Sequence, residues 1–100
     1  MTTLHILNKS PQHPFPASQC SQFYSKADAI LLIEDAVYYT LPDAFVSFLK
    51  HYQTEPFIYA LKEDIDARGI SALAHPDIKV VTFDGFVELT AIHDKSTSWY

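Results

Sequence analysis

Cys20 is the only thiol in the chain and the clearest candidate for nucleophilic chemistry. A helix opening at Pro16 puts Cys20 within its first two turns. There the helix dipole and unpaired backbone N–H groups favour a thiolate. The same spacing sets Ala17, Cys20, Tyr24 and Ala27 on one apolar face, and free cysteine is among the most buried residue types. Position in the helix thus argues for reactivity, and the apolar face argues for packing. Glu34-Asp35 is the next candidate, because adjacent carboxylates can do acid–base work or hold a cation. Such a pair also simply solvates a loop or caps a turn. Glu63, Asp64 and Asp66 read as acids stabilising a helix start.

Five histidines (His5, His13, His51, His75, His93) invite a metal reading. None is paired at H-x₃-H spacing, and one cysteine does not complete a zinc site, so no metal and no cofactor are expected. The only glycines, Gly69 and Gly85, make no phosphate-cradling loop. No Ser/His/Asp signature stands out.

These residues need a scaffold, and its centre is Ala29-Ile30-Leu31-Leu32-Ile33, running directly into Glu34-Asp35. Five consecutive apolar residues leave a strand no polar face, so both faces must be covered, as in a parallel sheet. The run falls well short of the ~20 apolar residues of a membrane span. Its C-terminal end, read as a polar loop, is where open α/β sheets tend to place their chemistry.

Three further runs resemble strands: residues 4–7, 57–61 and 78–83. Between them, Phe45, Phe48, Leu49 and Tyr52 repeat at i, i+3, i+4 and i+7, the clearest amphipathic helix, with Thr40 as its expected cap and a stop before Gln53-Thr54-Glu55-Pro56. Lys62 to Arg68 reads as a short helix ended by Gly69. Asp84 is the expected cap of a last helix whose Phe86, Leu89, Thr90 and His93 share a face. Strand and helix alternate, which predicts an α/β fold with right-handed crossovers and helices on both faces of a parallel sheet.

One hundred residues suit a single domain over positions 1–100, and 48% apolar with 19% charged residues is an ordinary globular balance. The net charge of −5, without a basic run, argues against direct nucleic-acid binding. Met1-Thr2-Thr3-Leu4-His5 lacks the pattern of a signal peptide, and a lone cysteine suits a reducing cytoplasm. Trp99-Tyr100 is odd at a terminus: such aromatics either cover the protein's own sheet edge or anchor a partner.

The ordered segments resemble the TusB/DsrH family of small sulfur-relay subunits. They begin with Leu4-His5-Ile6-Leu7-Asn8-Lys9-Ser10-Pro11 and continue through residues 28–35 with Val37-Tyr38. Tyr59-Ala60-Leu61 then leads to Glu63-Asp64 and Ala67-Arg68-Gly69, followed by Phe86-Val87-x-Leu89, His93 and Trp99. The resemblance implies a DsrE-like fold, a small α/β/α sandwich with a mainly parallel sheet of four to five strands. It also implies a cytoplasmic heterohexamer with TusC- and TusD-like (DsrF- and DsrE-like) subunits, two copies of each. The Tus set relays persulfide sulfur towards 2-thiolation of the tRNA wobble uridine, with its essential cysteine in TusD, so this chain would be a non-catalytic partner.

Two positions qualify the match. Ala36 stands where the family commonly has glycine. Cys20 matches a cysteine found on the DsrH side and often missing from TusB proteins. The alternatives are therefore a DsrH-type subunit in sulfur oxidation, with Cys20 as persulfide acceptor, and a small flavodoxin-like ligand-binding module. The resemblance also suggests that the tail returns as an edge strand beside the first strand.

Overall fold

The computed structural model describes residues 2–53 and 55–100. Met1 and Thr54, the latter inside the expected break after the amphipathic helix, lie outside the described residues. Five strands form one sheet: β1 (Thr3–Leu7), β2 (Ala29–Leu32), β3 (Phe57–Leu61), β4 (Lys79–Val81) and β5 (Lys95–Trp99), in the order β4-β3-β2-β1-β5. All four pairings are parallel, as the alternation of strand and helix predicts. β5 lies beside β1 with Leu7 opposite Trp99, so the tail is an edge strand of this sheet.

β2 occupies the middle position, with all its residues at most 2% exposed. Ile30 and Leu32 face a cluster with Leu7, Ile58, Ala60, Cys20, Phe45 and Phe48. Ala29 and Leu31 face the opposite way, with Leu4, Ile6 and Leu89. The first cluster is covered by α1 (Phe15–Phe23) and α2 (Pro42–Leu49), with α3 (Lys62–Ala67) contributing Ile65. The second lies under α4 (Phe83–Ile92), which meets it through Phe86 and Leu89. This is the three-layer arrangement that a strand without a polar face requires.

Several element boundaries differ from the sequence expectation. α1 starts one residue earlier than Pro16 and ends at Phe23, so Tyr24 is its C-cap and Ala27 sits beyond it with a left-handed φ of 75°. β2 empties into a 3₁₀ helix, Glu34–Thr40, entered through Glu34 at a φ of 50°. This is no open polar loop, because Ala36, Val37, Tyr39 and Thr40 are buried in it. The 3₁₀ helix also consumes the expected cap of α2. The Thr40 hydroxyl donates to the Val37 carbonyl at 2.7 Å, and Leu41 is the N-cap instead. Pro42 lacks an N–H, so the uncapped first turn has one donor fewer to satisfy. α4 is capped not by Asp84 but by Thr82, whose hydroxyl accepts from the Gly85 N–H at 3.5 Å. This shortens β4, and His93 falls at the end of α4 rather than within it.

Gly69 ends α3 as expected: its φ is 65°, and the Ile70 N–H reaches back to the Ile65 carbonyl at 3.3 Å. Glycine is also needed at 85, where a Cβ would stand 2.9 Å from the Val81 Cβ and push α4 off β4.

Leu31 touches the α4-side core at full burial. Leu31→Ala is expected to lower the unfolding free energy by about 2–5 kcal/mol in urea titration. A loss below about 1 kcal/mol would show that α4 does not close over β2.

Candidate functional site

Cys20 is the sixth residue of α1, on the face turned to the sheet. It is 0% exposed. Its Sγ accepts a weak hydrogen bond from the Tyr52 hydroxyl at 3.8 Å. Tyr52 lies past the end of α2, in a turn held by its N–H to the Leu49 carbonyl at 3.0 Å. It packs edge-on against Tyr24 (ring centroids 5.3 Å apart) and also against Phe48. Burial pushes the Cys20 thiol up to about 12; the Tyr52 hydrogen bond only partly offsets this, and the Asp28 charge adds to it. Of the two readings the sequence leaves open for Cys20, this environment favours packing over a thiolate stabilised by the helix start. By the second turn the dipole has faded, and desolvation dominates. Burial likewise raises the Tyr52 hydroxyl above its ordinary value.

A second cluster joins α1 to three strands, and sequence reading missed its centre, Asp28. This carboxylate is buried immediately before β2. Its Oδ1 accepts from the Thr3 N–H (2.9 Å), and its Oδ2 accepts from the Ser25 N–H (3.0 Å) and His5 Nε2 (2.9 Å). His5 Nδ1 accepts in turn from the indole N–H of Trp99 at 3.1 Å. An indole only donates, so His5 is the tautomer protonated on Nε2. Trp99 also stacks on Phe23, with ring centroids 5.5 Å apart. The Tyr24 hydroxyl donates to the Asp28 carbonyl (2.6 Å) and accepts from the Phe57 N–H (3.2 Å). Burial raises the Asp28 carboxyl, but the hydrogen bonds from His5, Ser25 and Thr3 outweigh it, and the net shift is downward. The signal available in the sequence was a lone histidine in apolar β1 and an acid abutting an all-apolar strand.

The other candidates are tied into the scaffold. Asp35 Oδ1 accepts from Arg68 Nη2 and Nε at 2.8 and 3.1 Å, and the Glu34 N–H donates to Asp64 Oδ2 at 2.7 Å. Together they fasten the end of β2 to α3. Glu63 Oε2 accepts from the Phe83 N–H at the start of α4 (3.1 Å), and Lys62 pairs with Asp66 at 2.6 Å. His75 packs at a tilt against Phe45, His93 bonds Thr2, and His13 and His51 are exposed. Among the described residues, no group of three or more His, Cys, Asp or Glu side chains could hold a metal ion. None of the helices described is long and apolar enough to cross a membrane. A cleft of about 550 Å³ opens between Ser10, Pro11, Gln12, Asp35, Tyr38 and Leu41. No basic side chain is among the residues lining it.

The sequence model of the family described as "DsrH like protein" matches residues 9–96. Protein TusB of Buchnera aphidicola is 31% identical, with 96% of this chain and 99% of that protein covered. Protein TusB of Escherichia coli is 32% identical over the same shares. Among solved structures, the YchN protein of E. coli superposes with a TM-score of 0.68 at 18% identity, covering 99% of this chain and all of that one. Tm0979 of Thermotoga maritima gives 0.64 at 22% identity, over 89% of this chain and 91% of that one. At those identities the two structures bear on the fold alone, and they support the DsrE-like architecture.

Because the native Asp28 carboxyl is lowered, its contribution to stability is fully present above the ordinary carboxylate value of 3.8 and is lost as pH falls through the lowered native value. Asp28→Asn is expected to cost about 1–3 kcal/mol at neutral pH and to flatten the acid limb of the stability–pH curve. An unchanged acid limb would refute the assignment of that charge.

Proposed function

The chain belongs to the TusB/DsrH family, and from that premise we propose that it is an assembly subunit of a cytoplasmic sulfur-relay complex, carrying no sulfur itself. Its partners are TusC- and TusD-like subunits in a heterohexamer, and the relay passes persulfide sulfur towards 2-thiolation of the tRNA wobble uridine. The family name supports the sulfur-relay setting. The state of Cys20 supports the non-carrier role.

A persulfide carrier works by thiolate attack. The receiving Sγ bonds to the outer sulfur of the donor persulfide, the donor S–S bond breaks, and the donor leaves as a thiolate. The receiving thiol must reach another protein's surface, hold one more sulfur atom and be ionised. Cys20 is fully covered, stands beneath Tyr52, and has its thiol pushed up to about 12. At pH 7 that leaves on the order of one thiol in 10⁵ ionised. The reacting thiol then belongs to a partner, as the resemblance implies for TusD. The acidic balance of −5 fits a chain that leaves the tRNA to other proteins.

The test is sulfur transfer by the complex reconstituted from this chain and its TusC- and TusD-like partners. Cys20→Ser is expected to keep the transfer rate within about twofold of the unsubstituted complex, since removing a true nucleophile costs orders of magnitude. A loss of about a hundredfold or more, with assembly intact, would transfer the carrier role to Cys20 and favour the DsrH-type reading.

A further inference from the structure

The far end of β5 is fastened through one imidazole nitrogen. His5 is 2% exposed, its Nε2–H donates to Asp28, and its Nδ1 accepts the indole N–H of Trp99 at 3.1 Å. Nδ1 is the ring atom left with a lone pair, so it takes up the next proton. A proton from solvent added there sets two N–H groups against each other and leaves the indole without an acceptor. The ring centres are 6.1 Å apart, which keeps the imidazolium off the indole face, where a cation would be attracted. Trp99 is half-buried on an edge strand, and Lys95-Ser96-Thr97-Ser98 offers no other apolar anchor in β5. The near end of β5 does not pass through His5. There the Asp94 and Lys95 N–H groups donate to the Thr2 carbonyl at 3.0 and 3.4 Å.

We propose that His5 is a proton-operated latch: neutral, it holds Trp99 and the end of β5 against β1; protonated, it lets them go while the rest of the domain stays folded. The groups around the ring support that selectivity. The Asp28 carboxyl, at the start of β2, is held below the usual carboxylate range. It stays charged where histidines titrate and gains a charge-assisted bond from the imidazolium. The anchorage of β2 is thus kept while that of Trp99 is lost. Tyr24, after α1, lies against the ring with its hydroxyl spent on the Asp28 carbonyl and the Phe57 N–H. Cys20 on α1 and Tyr52 after α2, on the same side of the sheet as Tyr24, are both raised by burial and stay neutral. The neighbouring strands set Ile30 and Thr97 opposite His5, and the one charged residue of β5, Lys95, stands opposite Thr3. Release bares the end of β1 at Leu7 and the side of Phe23 that Trp99 covers. The inference stands independently of the sulfur-relay reading.

Trp99 is the only tryptophan, so its signals report on the latch directly. The experiment follows the chain from about pH 8 to about pH 5 by Trp99 fluorescence, by NMR of the indole N–H and the His5 ring, and by far-UV circular dichroism. Emission is expected to move to longer wavelength and the indole N–H signal upfield, both with the midpoint at which the His5 ring titrates. The circular dichroism of helices and sheet should be retained through that transition. His5→Gln should lose the response over this range, and His93→Gln, at the near end of β5, should keep it. If His5→Gln does not fold, the midpoints of the unsubstituted chain decide alone. An indole N–H that stays bonded while His5 titrates overturns the latch, as does a His5 ring that stays neutral down to the pH of unfolding. So does a response that survives His5→Gln, one that vanishes in His93→Gln, or loss of the circular dichroism at the same midpoint.

Discussion

A single buried carboxylate joins the elements on which this fold closes. The side chain of Asp28 is 4% exposed, and a carboxylate so placed is tolerated only when its lone pairs are occupied. Thr3 and His5 supply donors from β1 and Ser25 from the turn after α1, while His5 relays the connection to Trp99 on β5. Removing any one partner leaves a buried polar group unpaired, which costs more than the bond itself is worth. The network therefore ties the start of β2 and the turn after α1 to β1, and through His5 to β5.

The same network accounts for the tail. An edge strand rich in serine and threonine, Lys95-Ser96-Thr97-Ser98-Trp99, has little apolar surface to hold it against β1. Trp99 supplies that surface by stacking across His5 and Phe23. The aromatic pair at the C-terminus thus divides: Trp99 completes this protein's own sheet, and Tyr100 is 75% exposed.

What the sequence shows depends on whether the responsible interaction is local. The uninterrupted run of β2 announces a strand covered on both faces, and Gly69 announces a left-handed helix stop. Both are properties of a few neighbouring residues, and both agree with the structure. Thr40 misleads because an adjacent 3₁₀ helix, invisible to periodicity, draws it in as its last residue. His5 and Asp28 are 23 positions apart and Trp99 a further 71, so no window contains their bond network. Cys20 reads two ways in the sequence for a related reason. Its place near a helix start is local, whereas the burial that pushes its thiol up comes from a core cluster drawn from distant parts of the chain, Leu7, Ile30, Ile58 and Phe48 among them.

The one thiol of the chain is part of the core, and the function proposed for the protein makes its contribution to sulfur transfer a structural one. The measurement closest to that claim is peptide mass spectrometry of the assembled complex, quenched during turnover with a persulfide donor. The account requires Cys20 to be recovered as an unmodified thiol while a partner cysteine carries the added sulfur. Recovery of Cys20 with an extra sulfur, on the timescale of transfer, would contradict it.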